Sequence, residues 1–301
     1  MIKIYVSIVY SYSYLCIVYD MVFIKDLSWH SWCEISLYKA DDKFFVRKSA
    51  GKESYNARLE KQLNKQKSFK SDIFYAPEVY SQWYIWDIFY FDMQYLNCQT
   101  LASYMQSITV KEISNLVELA TKTLDIKWEK YLENTNEIFQ KKLKSLRDSF
   151  DDITWIENEA LELLERFDFS MIPHSRCHWD LTLENILITP DKKIYLIDFL
   201  DSFFDSWMID VAKLLQDLEI WWSYRHDKMT STLSLRLTIA KQALHESISE
   251  LENWKNKIWY IYHILLLNIL RIVPYTKDNI TKNFLQDALK KVINILDSNN
   301  L

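Results

Sequence analysis

The sequence predicts an α+β chain with its strands gathered at the front and its helices behind. Three observations carry this. Short apolar runs spaced like strands fill the region from residue 22 to 48. From residue 109 onward apolar residues recur at helical spacing, as in Ile113, Leu116, Val117, Ala120 and Leu124. One hairpin signal interrupts the helical part: Ile186-Leu187-Ile188 and Ile194-Tyr195-Leu196-Ile197 flank the turn-forming Pro190-Asp191-Lys192-Lys193.

Composition narrows the function classes. The 301 residues are 49% hydrophobic and 26% charged, so the chain can bury a sizeable core. A net charge of −5 argues against general nucleic-acid binding, which needs a basic surface. Cys16, Cys33, Cys98 and Cys177 are scattered without metal-ligand spacing, which fits a reduced, cytoplasmic chain. There is one glycine, Gly51, where average usage is about 7%, and there are 12 tryptophans.

Residues 1–20 contain a chargeless, Tyr- and Ser-rich run. It reads as an extra strand or an extension upstream of a true start at Met21, since it is short for a spanning helix. Strands follow over Val22 to Leu27, Cys33 to Tyr38 and Lys43 to Lys48, with Ser28-Trp29-His30-Ser31-Trp32 and Asp41-Asp42 between them. Residues 52 to 69 are helix-prone. Ile88 to Leu96 is an apolar strand leading into Asn97-Cys98-Gln99. Helices are then expected over Thr109 to Trp128, Ile138 to Ser149, Trp155 to Phe167, Val211 to Leu218 and through 231 to 296. Trp259 to Ile272 is apolar but broken by His263, Asn268 and Arg271, too polar to read as a membrane span. This gives three regions: 1–20, a strand-rich part 21–96, and a helix-rich part 97–301. No stable membrane insertion is expected.

The hairpin carries the chemistry. It is expected to bring Asp180 and Asn185, before its first strand, close to Asp198 at the end of its second. Two carboxylates and an amide oxygen suit a hard divalent cation such as Mg2+ with room for phosphate oxygens. A carboxylate outside the metal sphere can accept a proton from an attacking hydroxyl.

His178-x-Asp180-x-x-x-x-Asn185, then Ile197-Asp198-Phe199, then Asp210-Val211-Ala212-Lys213-Leu214, resembles the catalytic and metal-binding loops of the protein-kinase-like fold. In its compressed form it is most similar to the aminoglycoside phosphotransferase and choline kinase group. The resemblance implies two lobes, a small antiparallel sheet with one helix and a larger helical part. It implies ATP and Mg2+ as cofactors and a small-molecule hydroxyl as acceptor. It makes Asp180 the catalytic base and Asn185 and Asp198 the magnesium ligands. Lys48, ending the third strand, would contact the α- and β-phosphates, with Glu60 as its ion-pair partner and Glu53 second. Backbone groups of Gln94, Tyr95 and Leu96 would meet adenine, and Asp210 would brace the catalytic loop while serving as helix N-cap.

The acceptor stays open among sugar or polyol, aminoglycoside and choline-like molecules. Asp201-Ser202-Phe203-Phe204-Asp205-Ser206 resembles kinase-like proteins of surface-polysaccharide synthesis and tilts toward a sugar or polyol. The cluster Trp221 to His226 either lines an acceptor pocket or packs a lobe. Tryptophan stands where phosphate and catalytic loops of this kind use glycine: Trp29, Trp32 and Trp179. Two readings compete. One is a nucleotide-binding scaffold without turnover; the other is a UGA codon that the cell reads as glycine.

Overall fold

The computed structural model describes residues 21–27, 33–122 and 129–298. Residues 1–20 and 28–32, with the expected extension and phosphate-covering loop, lie outside them. The chain divides into two compact units. The first holds the described residues up to Lys70, then Tyr75–Cys98 and Thr189–Asp201. The second holds Ser71–Phe74, Gln99–Ile188 and Ser202 onward.

In the first unit β1 (Val22–Asp26), β2 (Cys33–Ala40) and β3 (Lys43–Ala50) form a meander. Asp41 and Asp42 close its second hairpin with φ of 46° and 64°, the left-handed pair that matches strand twist. Helix α1 (Asn56–Ser68) follows, then the two-residue β4 (Phe74–Tyr75), of which only Tyr75 belongs to this unit, and β5 (Val79–Ile85) and β6 (Ile88–Gln94). The sheet order is β1-β2-β3-β6-β5, antiparallel throughout. One face of α1, Leu59, Gln62, Leu63 and Gln66, is buried at i, i+3, i+4, i+7 spacing. Leu59 and Leu63 pack with Cys33, Ala50, Phe89 and Phe91 into the core of this unit. Alternation on β3 sends Lys48 and Arg47 to opposite faces. Arg47 makes a two-pronged pair with Asp92 at 2.7 and 2.9 Å and lies over the Tyr90 ring at 4.0 Å.

The second unit is mainly helical. Strand β7 (Gln99–Thr100) pairs with β8 (Ile186–Ile188); β9 (Ile194–Leu196) belongs to the first unit. The helices are α2 (Leu101–Tyr104), α3 (Val110–Lys122), α4 (Thr135–Arg147), α5 (Trp155–Arg166), α6 (Trp207–Leu218), α7 (Ser231–Ser249), α8 (Trp254–Leu270) and α9 (Asn279–Asp297). Helix α8 packs against α5, α6, α7 and α9. The segment Trp254–Tyr275, mean hydropathy 1.4, is long and apolar enough to cross a membrane, yet 61% of its most apolar window is buried in the protein. A helix apolar on all sides that is covered by four others serves as a core helix. Its His263 stacks on Phe167 at 3.6 Å, and burial drives the imidazole pKa down to about 4. Beside it, buried Glu219 at the end of α6 joins Lys241 of α7 at 3.0 Å, Tyr262 of α8 at 3.1 Å and Lys291 of α9 at 2.9 Å. Burial alone would raise the Glu219 pKa; the two ammonium groups hold it below the usual value.

Candidate active site

In the first unit the expected nucleotide-contacting lysine, Lys48, is buried. It is 5% exposed, opposite Ile35 on β2 and Phe91 on β6. Its ammonium is ion-paired with Asp198 and donates to Gln62 Oε1 at 3.4 Å. Burial pulls the lysine pKa down, and the Asp198 carboxylate more than offsets this, leaving it above the ordinary value. Asp198 sits at φ 61°, a left-handed conformation that Asp tolerates better than most residues.

The expected pair of Lys48 with Glu60 is not what the structure holds. Glu60 accepts the Tyr84 hydroxyl at 2.6 Å on the partly exposed side of α1. The reason is helical phase. The buried face of α1 passes through Leu59, Gln62, Leu63 and Gln66, so the residue toward Lys48 is Gln62, two positions from Glu60 and nearly opposite it around the axis. A search for a carboxylate could not find a glutamine. Glu53 lies in a 3-10 turn before α1. Glu60→Gln is therefore expected to change nucleotide affinity by less than about twofold, as for other exposed polar pairs. Titration calorimetry with MgATP measures it, and a tenfold loss would restore Glu60 to the site.

Gln94 ends β6, and its N–H is committed to the Glu78 carbonyl at 2.8 Å, which removes that donor from any base. Tyr95 and Leu96 follow outside the strand, with the Leu96 carbonyl accepting from Cys98 Sγ at 3.3 Å.

In the second unit the loop 174–185 is held by side chains of α6. Asp210, 6% exposed, accepts the backbone N–H of His178 and of Trp179, each at 2.8 Å. It braces the loop as expected but is not the N-cap. The helix starts at Trp207, and Ser206 caps it by accepting from Met208 N–H. Two turns further, fully buried Asp217 accepts the Leu183 N–H at 2.6 Å and the Ser223 N–H and hydroxyl at 2.8 and 2.7 Å. Burial pushes its pKa up to about 6 against these donors. Two carboxylates seven residues apart share a helix face, and they grip the loop on both sides of Asp180.

Asp180 is thereby presented with defined partners. Asn185 Nδ2 donates to its carboxylate and to its carbonyl, both at 2.9 Å, and Lys213 Nζ lies 3.2 Å from Oδ1. The sequence shows Lys213 only as a member of the Asp210 to Leu214 motif, with no role of its own, and does not single out Asp217. Their signal was the spacing from Asp210, three and seven residues on. Glu184 lies in this loop; burial raises its pKa, Arg225 opposes that, and Asp180 adds to it. In the cluster after α6, Tyr224 is buried and donates to the Ala102 carbonyl at 2.7 Å, so it packs the lobe, whereas Trp222 is half-buried, with Arg225 4.1 Å from its ring centre.

Each expected metal donor, taken within its own unit, offers oxygen, the atom a hard cation prefers. Asn185 spends its amide nitrogen on Asp180, which leaves its oxygen, and Asp198 carries a carboxylate that pairs with Lys48. Among the described residues no group of three or more His, Cys, Asp or Glu could hold a metal by itself.

Residues 119–239 match the model of the phosphotransferase enzyme family. No curated protein matches the sequence. Among solved structures, a thermostable mutant of aminoglycoside phosphotransferase APH(4)-Ia aligns over 93% of this chain and 96% of its own, at 13% identity and TM-score 0.64. A related structure of that protein, a ternary complex with AMP-PNP and hygromycin B, aligns over 90% and 93% at 12% identity and TM-score 0.64. A fructosamine-3-kinase candidate from Haemophilus somnus 129PT aligns over 92% of both chains at 13% identity and TM-score 0.53. The segment that contains the loop 174–185 is thus similar to the phosphotransferase enzyme family, and the chain has the two-lobed, protein-kinase-like fold seen in the aminoglycoside phosphotransferases.

Proposed function

We propose that this protein is an ATP-dependent phosphotransferase acting on a hydroxyl group of a small molecule in the cytoplasm. The observation that carries the reading is the setting of Asp180. Its carboxylate is oriented by Asn185 and Lys213, on a loop fixed by Asp210 and Asp217. A base positioned this firmly suits removal of a proton from an attacking hydroxyl, where most of the catalysis is positioning. Lys48 would neutralise charge on the nucleotide phosphates. The backbone around Gln94, Tyr95 and Leu96 would receive adenine, with the Gln94 N–H excluded. Asn185 and Asp198 would hold Mg2+, which when bound supplies charge neutralisation to the phosphate oxygens.

In this reading residues 21–96 and 97–301 are the nucleotide-binding and acceptor-binding lobes. Support for ATP comes from the AMP-PNP complex of the structural neighbour. Its hygromycin B, and the fructosamine named for the other neighbour, support an amino sugar, sugar or polyol as acceptor. Cys33, Cys98 and Cys177 are not joined in disulfides among the described residues, which fits a reducing compartment.

The test is ADP release from MgATP across a panel of sugars, polyols, aminoglycosides and choline. Acceptor-dependent release is expected. Tight MgATP binding with no ADP formed for any acceptor would make the protein a nucleotide-binding scaffold instead.

A further inference from the structure

Nine non-glycine residues have φ between 46° and 77° among those described. Four are Asp and one is Asn, the residues whose short polar side chains tolerate this region. One is Lys192, in the turn before β9. The remaining three are all tryptophans: Trp86, Trp179 and Trp221. A bulky aromatic residue has no means of relieving the clash between its Cβ and its own backbone there.

Each of the three occupies a slot with its own reason to require glycine. Trp86, φ 49°, precedes Asp87, φ 62°, in the tight turn between β5 and β6, where both central residues must be left-handed. The side chain is 93% exposed, so no packing compensates for the backbone conformation. Trp221, φ 63°, lies just past the end of α6 and donates its N–H to the Asp217 carbonyl four residues back at 3.0 Å. This is the left-handed stop that ends many helices, usually on glycine. Trp179, φ 77°, lies between His178 and Asp180, its N–H turned to Asp210. Its indole is 2% exposed, and the buried indole N–H has no hydrogen-bond partner.

We infer that the native protein carries glycine at positions 86, 179 and 221, because its source cells decode a UGA codon as glycine rather than tryptophan. Independent mutations do not explain the same exchange at three unrelated turns. A decoding rule does, and it also explains a chain with one glycine and 12 tryptophans. UGA is one base from the tryptophan codon UGG and one base from the glycine codon GGA. The same rule places glycine at 29 and 32, in the segment joining β1 and β2 that lies outside the described residues. The inference concerns residue identity and stands apart from the proposed activity.

Three measurements decide it. The gene is expected to read UGA at codons 86, 179 and 221; UGG at any of them overturns the idea. Peptides of the protein purified from its source cells should have glycine mass at all three positions; tryptophan mass at any one overturns it. For a chain synthesised as printed, Trp86→Gly should raise Tm by about 2–4 °C, since no packing is lost. An unchanged or lower Tm would refute the conformational argument.

Discussion

Asp180→Asn is expected to lower acceptor-dependent ADP release by about 10²–10⁴-fold, the usual contribution of a positioned general base. MgATP affinity should stay within about twofold, because Asp180 belongs to the loop unit and Lys48 with its Asp198 partner belongs to the other. The substitution is a fair probe because it keeps the loop intact. The side-chain volume is unchanged. One amide oxygen can still accept from Asn185, as a carboxylate oxygen does now at 2.9 Å. What disappears is the proton acceptor and the charge facing Lys213 at 3.2 Å. Single-turnover measurements with saturating acceptor separate the chemical step from binding. If the variant turned over at the parent rate, Asp180 would be only a structural partner of Asn185 and Lys213. Lys213→Met supplies a contrast. It should cost less, because it removes an orienting contact and leaves the base in place.

The join between Asp180 and Asn185 was legible in the sequence because their spacing is local. Asp180 and Asn185 are five residues apart on one loop, so a pattern search finds them and the structure joins them directly. The sheet strands were legible for a similar reason: alternation and the Asp41-Asp42 turn are read within a few residues. What escaped depended on phase or on distance. Gln62 in place of Glu60 is a matter of which side of α1 faces the sheet, and both residues suit an exposed helix equally well. Asp217 reaches Leu183 across 34 residues of sequence, and nothing near either one announces the contact. Helix α6 starts at Trp207, four residues before the expected Val211, because Ser206 at the end of an acidic, aromatic run caps it. Tertiary packing supplied each of these answers. The left-handed tryptophans are the reverse case: composition raised the question, and backbone geometry gave it sites.

Asp217→Asn should reveal both of that residue's roles, one in the pH dependence of stability and one in turnover. In the folded protein the Asp217 pKa is raised from 3.8 to about 6. Between those values the folded state binds more protons than the unfolded chain, so this group makes stability fall as pH rises from about 4 to 6, then level off. Two pKa units correspond to about 3 kcal/mol. Asparagine does not titrate, so the variant lacks that slope. Relative to the parent it should be at its worst near pH 4 and gain about 3 kcal/mol by pH 7. His263, with its pKa lowered to about 4, works in the opposite sense: its neutral form is favoured by folding, so stability is lost as pH falls from about 6.5 to 4. That term is common to both proteins and cancels in the difference, which makes the comparison cleaner than either melting curve alone. In turnover, the amide has one oxygen for three donors. Kept on Ser223, it turns its NH2 toward the Leu183 N–H, which loses its acceptor. On this face of α6 the loop bearing Asp180 then keeps Asp210 and Lys213 but loses its hold at Leu183. The expected result is a kcat lower by about 10–100-fold with the KM for ATP unchanged, the mark of a misplaced base rather than a damaged nucleotide site. Urea titrations at pH 4.5 and 7 with steady-state kinetics read both effects. A stability difference that does not move with pH would mean that Asp217 is ionised throughout.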